Sequence, residues 1–332
     1  MEEALHPLRL GANEAVARAD LVSVGTSARL HFGFLDPSGR GQRPFGSFGL
    51  ALDRPRTRLT LQRAPEFKVT GVDCTRALPY LRSIAASFGG GSAYCLHLDE
   101  VIQSHAGLGS GTQLALAIGA GVAALEGVSP DLRVIAARLD RGNRSGIGIA
   151  TFGEGGAVLD GGPGAGTLPP ALCRLPFPRE WRVLLIFDPA TTGMHGASET
   201  AAFASLPDFP EVETAELCRR ILQGALPALV ESDFKTFCDQ VGYMQKRMGA
   251  YFGPLQGGAY VSAGVAEVQD WLARQGLSGL GQSSWGPTGF AFATSEAEGQ
   301  KLLAAARARA GRSSLRFELA EARNEPATIE TN

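Results

Sequence analysis

The residues best suited to chemistry lie in one run, His105-Ala106-Gly107-Leu108-Gly109-Ser110-Gly111-Thr112-Gln113. Glycine recurs there at alternate positions, and a segment with helical apolar spacing begins at once. Glycines let backbone amides converge on an anion, and a helix start adds unpaired N–H groups and a favourable dipole. The stretch Gly107, Leu108, Gly109, Ser110, Gly111, Thr112 and Gln113 is therefore expected to bind phosphate, with Ser110 and Thr112 adding hydroxyl donors. The plainer alternative is a tight turn that packs a helix onto a strand. A Walker A loop would need a lysine that is absent here. A dinucleotide fingerprint would need its third glycine one position later and an acid ending the next strand, whereas Glu126 ends a helix.

Other clusters are weaker. His195 and Glu199 stand four apart, adjacent on a helix if it starts early enough. No third metal ligand accompanies them, so a helix-start or substrate-facing pair fits better. The five cysteines form no C-x-x-C pair, which argues for ordinary buried thiols rather than a disulfide framework or a zinc site.

The elements that must hold the loop can be placed by pattern. Leu21 to Leu30 reads as a strand entering a glycine-rich stretch, Phe32 to Gly49. Thr57 to Ala64 and Phe67 to Val72 alternate as paired strands, a helix spans Ala77 to Phe88, and Ala93 to Ile102 returns as a strand. Leu114, Ile118, Val122 and Leu125 form one face of a helix over Thr112 to Glu126. Ser129 is expected to cap the next helix, with Pro130 in its first turn. Trp181 to Phe187 is a strand buried on both faces, helices fill Ala197 to Phe252, and Ser295 with Glu298 makes a capping box. This mixture is α+β, with an arm over 1–20 and domains over 21–170 and 171–332, the GGPGAGTLPP run marking the boundary.

The loop GLGSGTQLALA resembles the phosphate loop of the GHMP kinase superfamily. Arg29-Leu30-His31-Phe32-Gly33-Phe34-Leu35-Asp36 is similar to that family's N-terminal substrate motif, and Gly281-Gln282-Ser283-Ser284-Trp285-Gly286-Pro287-Thr288 to its C-terminal glycine-rich motif. One departure matters. Where many of these kinases carry the catalytic aspartate of P-S-G-x-D, the run here is Arg144-Ser145-Gly146-Ile147-Gly148. A glycine can neither take a proton nor orient an alcohol, so ordinary phosphoryl transfer loses its base. With Asp160-Gly161-Gly162, these variants resemble the β-ribofuranosylaminobenzene 5′-phosphate synthase branch, over about residues 22 to 295.

That resemblance implies a ribosomal S5 domain 2-like N-terminal domain and a ferredoxin-like C-terminal one. It implies phosphoribosyl transfer from phosphoribosyl diphosphate to 4-aminobenzoate or 4-hydroxybenzoate, with loss of carbon dioxide and diphosphate, early in tetrahydromethanopterin synthesis. Asp36, Arg29 and His31 become candidate catalytic residues, and Arg144, Ser145, Asp160, His195, Ser283 and Ser284 candidate substrate contacts. Mg²⁺ is the implied cofactor, with Asp36 and Asp160 as candidate ligands, and a homodimer is the implied assembly. For each charged side chain the structural alternative is a salt bridge or a solvated surface. An ATP-dependent kinase and a non-catalytic phosphate sensor remain competing functions. Val183 to Gly193 resembles the phosphoribosyl diphosphate motif of type I phosphoribosyltransferases, but Phe187 replaces its first acid and Pro189 follows Asp188.

Composition limits the remainder. With a net charge of −2, the chain of 332 residues offers no electrostatic reason to bind nucleic acid or an anionic membrane. Its acidic, polar N-terminus does not read as a secretory signal, and no stretch reaches the length of a membrane span, so a cytoplasmic protein is expected.

Overall fold

Two long strands organise the molecule: β1 (Leu21–Asp36) and β2 (Phe45–Ala64) pair antiparallel along almost their whole length. The computed structural model describes residues 19–41, 43–88, 92–194 and 196–332, so most of the expected arm and His195 lie outside the described residues. After β2 come β3 (Lys68–Gly71), α1 (Cys74–Ala86), β4 (Ala93–Glu100), α2 (Ser110–Leu125), α3 (Leu132–Arg138), α4 (Ile147–Gly153), β5 (Ala157–Asp160) and β6 (Ala171–Leu175). Then follow β7 (Arg182–Phe187), α5 (Gly196–Ser205), α6 (Glu211–Arg220), a π-helical turn over Ile221–Ala225, α7 (Leu226–Glu231) and α8 (Phe234–Gln256). The chain closes with α9 (Ala263–Arg274), β8 (Gly281–Gln282), β9 (Gly289–Ala293), α10 (Glu296–Ala310), β10 (Arg316–Ala320) and β11 (Thr328–Thr331).

The first sheet runs β11-β1-β2-β4-β3, with β5 and β6 joined at the other end of β2; the second runs β10-β7-β9-β8. Three apolar layers hold them. Val22, Val24, Leu59 and Leu61 pack under α1, α2 and α3. Leu30 and Phe32 belong instead to a layer with Val241, Met244 and Met248 of α8 and Phe290 and Phe292 of β9. Leu184 and Ile186 face Val268 and Leu303 of the outer helices. The even-numbered residues of β1 thus change sides midway. The cause is a register irregularity between Ser27 and Arg29, paired with Arg56 and Ala51, since a slip by an odd number of residues exchanges the faces of a strand. That slip turns Arg29 toward the start of α2. Helix α2 itself is buried throughout except at Gly111 and Thr112, in its first turn.

Several expectations need correction. The first strand does not end at Leu30: β1 extends to Asp36, and β2 starts at Phe45, so strands enter the glycine-rich stretch from both ends. β3 does not pair with β2 but lies parallel to β4, because α1 carries the chain across between them. Asp131, not Ser129, caps α3: its carboxylate accepts from Arg133 N and Val134 N at 2.9 and 3.1 Å. β6 and β11, both after residue 170, pair within the first sheet, so that boundary does not separate the two sheets. Ser295 does cap α10, accepting from Glu298 N. Among the described residues no helix is long and apolar enough to cross a membrane.

Candidate active site

The loop before α2 is built from backbone contacts that only glycine permits. Gly107 and Gly109 have φ of +79° and +78°, in the left-handed region. A Cβ on Gly107 would collide with Ser283 O, and one on Gly286 with the Ala106–Gly107 peptide. Gly193 fits the same way, its N–H donating to His105 O at 3.0 Å and its missing Cβ leaving room for Trp285 O. Three distant segments therefore interlock at one point. The T-T-G sequence ending at Gly193 belongs to this wall. It is no type I phosphoribosyltransferase loop, since β7 lies in an antiparallel sheet.

A hydrogen-bonded chain fixes the loop's orientation. His31 N donates to Ser283 Oγ at 3.0 Å, and Ser283 Oγ donates to Gly107 O at 2.7 Å. Arg29 Nη1 donates to the same carbonyl at 2.6 Å, while Arg29 N donates to Leu108 O at 3.1 Å. With these carbonyls held below, the amides at the start of α2 remain for a ligand. No side chain caps them, and the first turn contains no acid.

Cations surround this helix start. Arg76 Nη1 donates to Ser110 Oγ at 2.9 Å, and Arg76 also pairs with Asp73 at 2.6 Å. Arg141 bonds Tyr80 Oη and lies over its ring, and a Cβ on Gly111 would come within 3.4 Å of Arg141 Nη1. Arg29, Arg141, Met194, Glu199 and Trp285 line a cleft of about 190 Å³ over residues 107–112. Burial lowers the Arg29 pKa to about 10, which nearby Glu199 opposes, so Arg29 stays charged at neutral pH. Arg144 pairs with Glu199 at 2.7 Å and stacks on Phe203 at 4.5 Å, closing one side. Arg76, Arg141 and Tyr80 belong to no motif, so sequence reasoning missed them.

The remaining expected residues divide. Ser284 lines the cleft, and Ser283 supports its floor. Gln113 does not face it: fully buried, its amide donates to Gly148 O at 2.8 Å and accepts from Thr26 Oγ1 at 2.5 Å. The Leu108 side chain is likewise in the core. Asp36 lies seven residues beyond Arg29, roughly 20 Å along a strand. Its carboxylate accepts from Ser38 N, Ser38 Oγ and Gly41 N at 3.1, 2.5 and 3.1 Å, holding a loop away from the cleft.

Asp160 is fully buried and accepts from Ser47 N at 3.2 Å, Gly162 N at 2.9 Å, Gly146 N at 2.8 Å and the hydroxyls of Ser47 and Ser145. Desolvation raises its pKa, against those hydrogen bonds. Ser145 is thereby a structural bridge, its hydroxyl 2.6 Å from Ser47 Oγ. Neither Asp36 nor Asp160 fits the expected role of magnesium ligand, because each carboxylate is engaged by the chain's own donors. Among the described residues no three His, Cys, Asp or Glu side chains gather as a metal site.

Gly148, where a kinase aspartate is missing, faces the first turn of α2. A Cβ there would sit 2.9 Å from Thr112 Cγ2, so Thr112 occupies the space that a larger side chain would need. The His31 ring lies in a small apolar pocket beside the cleft, with both nitrogens lacking a partner. Burial and then Arg29 drive its pKa well below 6.5, so the ring is neutral.

A glycine-rich helix start in a mixed sheet beside an antiparallel sheet and its helices is the arrangement of the GHMP kinases. Residues 225–312 match the GHMP kinases C terminal family. The fold matches homoserine kinase from Cytophaga hutchinsonii with a TM-score of 0.67 over 96% of this chain and 100% of that one, at 16% identity. It matches mevalonate pyrophosphate decarboxylase from Streptococcus pyogenes with a TM-score of 0.67, over 94% and 99%, at 15% identity. In sequence the chain is 30% identical over 292 residues to the beta-ribofuranosylphenol 5′-phosphate synthase of Archaeoglobus fulgidus, covering 84% of this chain and 90% of that protein. The enzyme of that name from Methanothermobacter thermautotrophicus is 26% identical over 290 residues, covering 80% and 86%. The chain belongs to the β-ribofuranosylphenol 5′-phosphate synthase family.

Proposed function

We propose that this protein is a decarboxylating phosphoribosyltransferase that joins phosphoribosyl diphosphate to a para-substituted benzoate. The relatives' names favour 4-hydroxybenzoate as acceptor, and 4-aminobenzoate is the competing one. The observation that carries the reading is the uncapped start of α2, ringed by Arg29, Arg76 and Arg141 and facing Gly148 instead of a carboxylate. Such a site suits a leaving polyanion, and the Glu199 carboxylate in its wall is tied to Arg144 at 2.7 Å.

In this reading the amides of residues 107–112 and the arginines hold the diphosphate as it departs with the C1′–O electron pair. The ring carbon bearing the carboxylate forms the new bond to C1′. The carboxylate then leaves as carbon dioxide, and its electron pair restores the aromatic ring, so the transfer consumes no external base. Arg29 acts from below, by keeping the Gly107 carbonyl turned away from the anion.

Incubation with phosphoribosyl diphosphate and carboxyl-labelled 4-hydroxybenzoate or 4-aminobenzoate tests this directly. Labelled carbon dioxide is expected only when both substrates are present. No release with either acid, or ATP-dependent phosphorylation of homoserine, mevalonate or galactose, would overturn the reading.

A further inference from the structure

The pocket around His31 shares Ser284 and Trp285 with the phosphate cleft, so the two spaces meet at that wall. The three glutamines of its lining are already hydrogen-bonded. Gln245 accepts from Gln282 N at 2.8 Å and donates to Phe32 O. Gln256 donates to Gly258 O and Ala259 O at 3.0 and 3.1 Å, and Gln282 donates to Gln256 Oε1 at 3.1 Å and accepts from Val261 N at 2.8 Å. Against that background three buried atoms stand without partners: Nδ1 and Nε2 of His31, and the indole nitrogen of Trp285. His31 is 2% exposed and Trp285 4%. Buried groups left unpaired are costly, and a polar aromatic ligand would remove that cost.

We propose that the aromatic acceptor enters between His31 and Trp285, its para substituent donating a hydrogen bond to His31 and its carboxylate-bearing carbon facing the ribose. This assignment rests on the phosphoribosyl-transfer reading and extends it to the second substrate. A neutral imidazole can accept from a phenolic O–H, and drawing that proton outward pushes electron density to the para carbon. That carbon makes the bond to C1′ as diphosphate leaves. The proton returns to the phenol oxygen once carbon dioxide has departed, so no proton is gained or lost.

The free space beside the imidazole is about 20 Å³, so the ring must displace side chains on binding. Met248 is unbranched and can swing aside. The Trp285 indole makes no hydrogen bond among the described residues and packs on the rings of Phe252 at 4.7 Å and Phe203 at 5.2 Å. The glycines at 33 and 249 keep the opposite wall low.

The test combines kinetics with fluorescence. His31→Phe keeps the ring packing against Phe34 but removes both nitrogens. Its kcat/KM for the aromatic acid should fall by roughly 10², while the KM for phosphoribosyl diphosphate moves less than about threefold. In the native enzyme, 4-hydroxybenzoate should quench tryptophan fluorescence, and Trp285→Phe should abolish that quenching.

The pocket is refuted if the native enzyme turns over and folded His31→Phe keeps its kcat/KM for the acid. It is also refuted if the native enzyme shows no quenching, or if quenching survives in Trp285→Phe. Should His31→Phe fail to fold, Met248→Phe decides: an unchanged KM for the acid contradicts the assignment, and a rise of roughly tenfold supports it. If the native enzyme releases no carbon dioxide, the transfer reading fails, and the fluorescence result alone judges whether the pocket binds the acid.

Discussion

Two helix starts beside the first sheet have the same raw material and opposite fates. α2 begins after Gly109 and α4 after Gly146, and neither glycine has a side chain to cap its helix. At α4 the chain supplies its own anion: Asp160 accepts from Gly146 N at 2.8 Å and fixes Ser47 and Ser145 beside it. At α2 no acid enters the first turn, and Arg29, Arg76 and Arg141 gather instead. A helix start closed by a buried carboxylate is structural. One left open and ringed by arginine suits a foreign anion.

Substitutions at the two starts should separate along that line. At the open end, Gly109→Val forces a branched side chain into a left-handed position and against Arg29, whose Cγ would lie 3.1 Å from the new Cβ. Turnover should drop by roughly 10³ with the circular dichroism spectrum retained. At the closed end, Asp160→Ala strands the amides of Ser47, Gly146 and Gly162. Urea unfolding should show a loss of about 3 kcal/mol, with the KM for phosphoribosyl diphosphate unchanged in whatever protein folds.

Arg141→Ala probes the ring of charge alone. The KM for phosphoribosyl diphosphate should rise roughly tenfold, with less effect in high salt and almost none on the melting temperature.

The smallest effect concerns pH. The folded pKa of His31 is depressed, so its contribution to stability is complete above the unfolded value of 6.5 and is lost as pH falls below it. Denaturation series from pH 8 to 5 should slope less steeply for His31→Phe than for the native protein.

The open end was legible in sequence because its determinants are local: alternating glycines, then a helix. The closed end was not. Asp160 reads as a candidate ligand until β2 brings Ser47 against it from 113 positions away. Asp36 misled for the same reason, since the amides that occupy it appear only once the chain has turned back at Gly41. Arg76 and Arg141 reach the site from α1 and from the end of α3, where no pattern marks them. Gln113 shared the motif but not the face, because the first turn of α2 points it at Gly148. The break in β1 between Ser27 and Arg29 is likewise invisible to a periodicity reading, yet it aims Arg29.

The most direct test is calorimetric titration of phosphoribosyl diphosphate, without acceptor, into the native protein and into Gly109→Val. The open start of α2 predicts saturable binding to the native protein and none measurable to the variant. Equal affinity in a folded Gly109→Val protein would contradict the account, since the diphosphate would then be held somewhere else.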